Sequence, residues 1–161
     1  MRAELYWVET TGLGKLAIMP RPRGGDWLED EMTSYREQGV TVLVSLLEHQ
    51  EAVELDLASE AEAAQEAGLE YRSFTIRDRG VPISRADAMS FVEALRQRLD
   101  QGAGVAIHCR AGIGRSALIA GAILLSRGLH LAKVLELLRK SRGMPVPETP
   151  EQMEWLKSFW R

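Results

Sequence analysis

The sequence has little cysteine, little histidine and no long apolar run. One cysteine in 161 residues excludes an internal disulfide, so nothing reads as a small disulfide-stapled secreted fold. With three histidines, no ligand cluster of metal-binding spacing forms, and neither a metal nor an organic cofactor is expected. The longest apolar stretch, Ala117 to Leu125, is about half of a membrane-spanning helix. The N-terminal Met1-Arg2-Ala3-Glu4-Leu5-Tyr6-Trp7 lacks a signal-peptide core. A soluble, cytoplasmic protein without a membrane partner is the expectation. A net charge of −3 supplies no general attraction to nucleic acid, so no such partner is expected and any basic site must be local. Repeats, low-complexity tracts and dividing linkers are missing too. One monomeric domain over residues 1–161 is expected.

What is there is enough apolar residue, 45%, for a core. Leu5–Val8 and Leu16–Met19 read as short strands joined through Gly12 and Gly14. Asp26, with Glu29 three residues on, reads as the N-cap of a helix that stops at Gly39. Val40–Leu46 is a continuous β-branched run, as in a strand covered on both faces. Two short helices are expected at Glu51–Leu57 and Glu60–Ala67. Glu70–Ile76 alternates as a strand, and Arg77–Pro82 reads as a mobile loop. Ser84 with Asp87 makes a second capping box. Ala88, Phe91, Leu95 and Leu99 form the inward stripe of the following helix. Val105–Ile107 is a short buried strand, and Arg115–Arg127 is an apolar central helix. Leu131–Arg142 and Pro150–Trp160 are two amphipathic helices. Trp7, Trp27, Trp155 and Trp160 fall in patterned elements, where core packing is expected. The fold class is α/β, with a central, mainly parallel sheet flanked by helices.

The sole cysteine stands in His108-Cys109-Arg110-Ala111-Gly112-Ile113-Gly114-Arg115-Ser116, between that short strand and that central helix. A strand–loop–helix junction converges backbone N–H groups and a helix N-terminus on an anion. Gly112 and Gly114 allow backbone angles that turn the amides inward. Arg115 can give two parallel hydrogen bonds to a tetrahedral oxyanion. The same positive field favours the thiolate of Cys109, the form that attacks phosphorus. An inert core cysteine needs neither the glycines nor the arginine.

This segment resembles the signature of the cysteine-dependent protein tyrosine phosphatases, and Ser116 leans toward the dual-specificity branch. The resemblance extends from Ile18-Met19-Pro20-Arg21-Pro22 through Val44-Ser45-Leu46-Leu47-Glu48 to the final helices. It implies a central sheet with a phosphate-binding loop between a strand and a central helix. It implies that Cys109 is the nucleophile, with Arg115 clamping the phosphoryl group. The amides of Arg110, Ala111, Gly112, Ile113, Gly114 and Arg115 cradle the phosphate, Ser116 assists the sulfur, and His108 supports the loop. It also implies a general-acid aspartate in a loop upstream. Asp78, in Arg77–Pro82, is the choice, although its arginine neighbours favour the ionised carboxylate. Asp87 already has a capping role, and Asp100 reads as a solvated helix end.

For the second step, Gln152 is a supporting candidate to position water. Thr149, Pro150 and Gln152 also form a capping box. Glu148 reads as a solvated loop residue. Arg21, Arg23, Arg77, Arg79 and Arg110 are candidates for a basic rim, with scattered solvated charge the safer reading for Arg21 and Arg23.

The expected activity is hydrolysis of phosphotyrosine, with phosphoserine and phosphothreonine as further substrates. The partner is a phosphorylated protein or another phosphomonoester. Alternatives are a phosphoinositide or RNA 5′-phosphate phosphatase on the same chemistry, or a catalytically weak phosphate-binding module. A loop without lysine counts against the phosphoinositide. Sulfur transfer fits Arg115-Ser116 and Asp78 less well, and arsenate reduction needs further cysteines.

Overall fold

A computed structural model describes residues 2–10 and 12–159. One five-stranded sheet runs in the order β1 (Tyr6–Val8), β2 (Lys15–Met19), β5 (Gly104–His108), β3 (Val42–Ser45), β4 (Glu70–Ser73). β1 is antiparallel to β2, and the other pairings are parallel.

Strand alternation sorts the core into two layers. Leu16, Ile18, Val42, Val44, Val105 and Ile107 point to one face. Ala17, Met19, Leu43 and Ala106 point to the other. The first face is covered by α4 (Arg85–Asp100), α5 (Arg115–Ser126), α6 (Leu131–Arg142) and α7 (Pro150–Phe159). The second carries α1 (Leu28–Glu37), α2 (His49–Glu54) and α3 (Glu60–Glu66). Because the sheet is covered on both sides, its central strands are apolar throughout.

α5 is the axis of the first layer. Every residue from Arg115 to Leu125 is buried, and the helix packs on α4, α6 and α7 as well as on β2 and β5. Each fully buried Leu or Ile there contributes about 1.5–3 kcal/mol of transfer free energy. This packing fixes the N-terminus of α5, which is the closing edge of the cysteine loop.

Several boundaries differ from the sequence reading for identifiable reasons. Asp26 does not cap α1; it lies in a 3₁₀ turn, Gly25–Trp27, and α1 begins at Leu28 without a side-chain cap. A tertiary bond from the Gly25 N–H to the Asp56 carbonyl holds that turn. β3 starts two residues late because the Val40 N–H closes α1 on the Tyr35 carbonyl. α2 starts at His49 because Glu48 and Glu51 exchange reciprocal capping bonds. Trp27 is 55% exposed and lies against the Arg23 guanidinium at 4.4 Å, so it is not a core residue. Trp7 and Trp155 pack at the margins of the two cores. Trp160 lies outside the described residues.

Candidate active site

Between the end of β5 at His108 and the start of α5 at Arg115 runs the loop Cys109–Gly114. Three consecutive carbonyls, those of Arg110, Ala111 and Gly112, are held by groups outside the loop. The Arg110 carbonyl accepts from the Arg21 N–H at 3.2 Å. The Ala111 and Gly112 carbonyls accept from the Arg142 guanidinium at 3.4 and 2.9 Å. Arg142 is itself set by the Tyr6 ring, 4.0 Å from its guanidinium carbon. With those carbonyls held from outside the loop, the peptide N–H groups are left for the concave side, where an anion gathers them.

The two loop glycines serve different ends. Gly112 has φ +74°, and a Cβ there would stand 2.6 Å from the Met19 backbone, so no other residue fits. Gly114 has φ −112°; it needs to be small rather than left-handed. A Cβ on it would lie 3.0 Å from Glu148 Oε1 and 3.2 Å from the Gln152 amide.

Cys109 is buried, at 3% exposure, with Sγ 3.3 Å from Ser116 Oγ. A hydroxyl at that distance, in the first turn of α5, can donate to a thiolate, and the helix dipole favours the same charge. Arg115 is 1% exposed. One of its terminal nitrogens donates to Glu51 Oε1 at 2.6 Å and to the Ile76 carbonyl at 2.8 Å. The other donates to Glu51 Oε2 at 3.0 Å and to Asp78 Oδ1 at 3.2 Å. Its Nε–H has no hydrogen-bond partner among the described residues, and the side chain lines the cleft. Burial opposes the guanidinium charge, but the Glu51 bonds and the facing Cys109, Glu51 and Asp78 charges outweigh it, so the Arg115 pKa is raised. Burial likewise pushes the Glu51 carboxyl up, and the Arg115 bond and the Glu48 N–H reverse this to a net lowering.

Glu51 is a functional residue that sequence reasoning missed. Its signal was the capping pattern with Glu48, but nothing local connects it to Arg115.

Asp78 reaches the same arginine from a tight turn in which Arg79 has φ +62° and the Gly80 N–H closes on the Arg77 carbonyl. It is half exposed and pairs with Arg115 rather than with its flanking arginines. The turn is tied down. Arg79 bonds Glu148 at 3.0 Å, and Gln152 Nε2 donates to the Gly80 carbonyl at 3.0 Å.

Glu148 is therefore a wall of the cleft, not a solvated loop residue. Gln152 is fully buried. Its Oε1 accepts from the Glu148 and Thr149 N–H groups, and its own N–H donates to Thr149 Oγ1. The capping box is fully formed, and the same side chain also joins α7 to the Asp78 turn.

His108 is fully buried, with Nε2 2.5 Å from Glu60 Oε2. Asp87 donates its N–H to Ser84 as a cap residue, and Asp100 pairs with Arg96 and Arg127 away from the cleft. Of the arginine rim, Arg79 and Arg110 line the cleft. Arg110 pairs with Glu51 and Glu54. Arg23 pairs with Glu31 instead, and Arg21 lines a separate pocket with it. Among the described residues, no group of three His, Cys, Asp or Glu side chains is placed to hold a metal ion, and no helix is long and apolar enough to cross a membrane.

The cleft, about 260 Å³, thus joins a buried thiol, an inward amide cradle, a fixed guanidinium and an accessible carboxylate. Fold and site define a dual-specificity, protein tyrosine phosphatase-type cysteine phosphatase. The family described as "Polymorphic toxin system, DSP-PTPase phosphatase" matches residues 17–129, and the chain belongs to it. No curated protein matches the sequence. Among solved structures, kinase associated phosphatase superposes with TM-score 0.89 at 20% identity, over 99% of this chain and 94% of that one. Tk-PTP in its active form gives 0.73 at 29% identity, over 96% of both chains. PTPMT1 gives 0.76 at 23% identity, over 98% and 94%.

Proposed function

We propose that the protein hydrolyses phosphotyrosine, and phosphoserine or phosphothreonine more slowly, through a phosphocysteine intermediate. The observation that carries this reading is the convergence of Cys109, Arg115 and Asp78 on one cleft. The thiolate of Cys109 attacks phosphorus, forming the S–P bond as the P–O bond to the leaving group breaks. Asp78, which takes a proton from solvent when it leaves Arg115, gives that proton to the departing oxygen. The Arg115 Nε–H and the nitrogen now on Asp78 take two phosphoryl oxygens, and the loop amides take the third. That exchange frees Asp78 for the leaving group.

In the second step water attacks phosphorus and the S–P bond breaks. Asp78 takes the water proton, and Ser116 stabilises the departing thiolate. Gln152, with every polar atom engaged, acts by holding the Asp78 turn rather than by holding water.

The complex of PTPMT1 with PI(5)P makes a phosphoinositide the second reading. The lysine-free loop and the carboxylate of Glu148 in the cleft wall favour a singly phosphorylated protein over a polyanionic headgroup. Wild type, Cys109→Ser and Asp78→Asn are to be assayed with a phosphotyrosine peptide and a phosphoinositide, with chelator present. Loss of all turnover in Cys109→Ser, loss in Asp78→Asn mainly for poor leaving groups, and peptide preference are expected. Preference for the lipid overturns the substrate assignment. Turnover that survives Cys109→Ser overturns the mechanism.

A further inference from the structure

The alternation of β5 sends His108 to the same face as Ala106, away from α5 and toward α3. There it meets Glu60, 2% exposed, whose Oε2 lies 2.5 Å from His108 Nε2. The other ring nitrogen, Nδ1, lies 3.3 Å from the Cys109 carbonyl. Glu60 Oε1 accepts the Tyr71 hydroxyl at 3.4 Å. Burial first, and the Glu60 charge second, raise the Tyr71 phenol above its ordinary range, so Tyr71 serves as a donor. A carboxylate and an imidazole buried this completely are retained only where the pair is satisfied.

The pair shares one proton on the Glu60–Nε2 line. Wherever that proton sits, the Cys109 carbonyl can only accept, so Nδ1 carries a hydrogen and donates it. The Cys109 carbonyl thereby places a hydrogen on Nδ1, and the Glu60 carboxylate holds the other nitrogen of the same ring. A carboxylate can hold that bond while both ring nitrogens carry hydrogens, because its charge offsets the ring's; an amide at position 60 supplies no charge and so weakens the ring's hold on the Cys109 carbonyl.

We propose that Glu60 is a positioning residue that acts through His108 to hold the Cys109 carbonyl and favour the Cys109 thiolate. This rests on the reading of Cys109 as the nucleophile. The groups facing the pair are Tyr71 from β4, Ser45 from β3 and Tyr35 from α1, whose phenol is raised by burial and by Glu31 and Glu60. Those facing Cys109 from α5 are Arg115 and Ser116. None of the groups facing the pair can replace a carboxylate.

The sole cysteine makes the test direct. The rate of iodoacetamide alkylation of Cys109 against pH requires no turnover, so it reads out even if the phosphatase assignment fails. Glu60→Gln is expected to move the midpoint up by about one pH unit, about tenfold less thiolate below it. The same substitution in a His108→Gln background is expected to add nothing. An unmoved midpoint in folded Glu60→Gln, or an equal shift in the His108→Gln background, overturns the proposal. In the unmutated protein, ¹⁵N NMR of the His108 ring is expected to respond at the alkylation midpoint. Ring resonances that stay flat through it overturn the proposal without any variant.

Discussion

Arg115 and Arg79 line the same cleft, and a glutamate holds each. Arg115 is 1% exposed and takes both oxygens of Glu51. Arg79 is 62% exposed and takes one oxygen of Glu148. The chemistry is the same and the surroundings are not. Losing one partner of a buried pair leaves an uncompensated charge and costs about 3–5 kcal/mol, whereas an exposed pair is worth about 0–1 kcal/mol and is screened by salt. The floor is thus fixed before substrate arrives, as transition-state stabilisation requires. The rim is held lightly, and the proposed mechanism asks Asp78, half exposed, to leave Arg115.

The sharpest break in that comparison comes from the floor. Arg115→Lys keeps the charge but cannot span Glu51 and two phosphoryl oxygens together. Its kcat/KM is expected to fall about 10²–10³-fold, and steady-state kinetics on an aryl phosphate reads this. Glu51→Gln is the next largest. It is expected to lower stability by about 3–5 kcal/mol with a parallel fall in turnover. The Glu51 carboxyl is lowered in the folded state, so its stabilisation is fully present above the unfolded value near ~4.3 and is lost as pH falls through the folded value. The stability gap between wild type and Glu51→Gln should therefore be widest above about pH 5 and close in acid. Denaturant melts at several pH values measure it.

At the rim, Glu148→Gln is expected to cost under about 1 kcal/mol, with the cost vanishing in high salt. If its effect matched that of Glu51→Gln, the distinction between floor and rim would collapse.

The cysteine loop was legible as a motif because its parts are local: the thiol, two glycines and the guanidinium lie within Cys109–Ser116. The two-sided sheet was legible too, since Val42–Ser45 and Gly104–His108 are apolar runs between turn residues. The supports were not legible. Glu51 reaches Arg115 across 64 positions, Glu60 reaches His108 across 48, and Arg142 reaches Gly112 across 30. No periodicity reports such pairings. Glu148 was misread because a carboxylate in a loop with Pro147 and Pro150 looks solvated until the Asp78 turn is folded over it. Asp26 failed as a cap because the Asp56 carbonyl, 31 residues from Gly25, holds the turn that contains Asp26.

The central claim is that Cys109 carries the phosphoryl group between the two steps. Rapid acid quench of the protein with a labelled aryl phosphate, followed by peptide mass spectrometry, tests this directly. The account predicts label on Cys109, formed in a burst in wild type and absent from Cys109→Ser. Steady turnover with no phosphocysteine, or label on another residue, would contradict it.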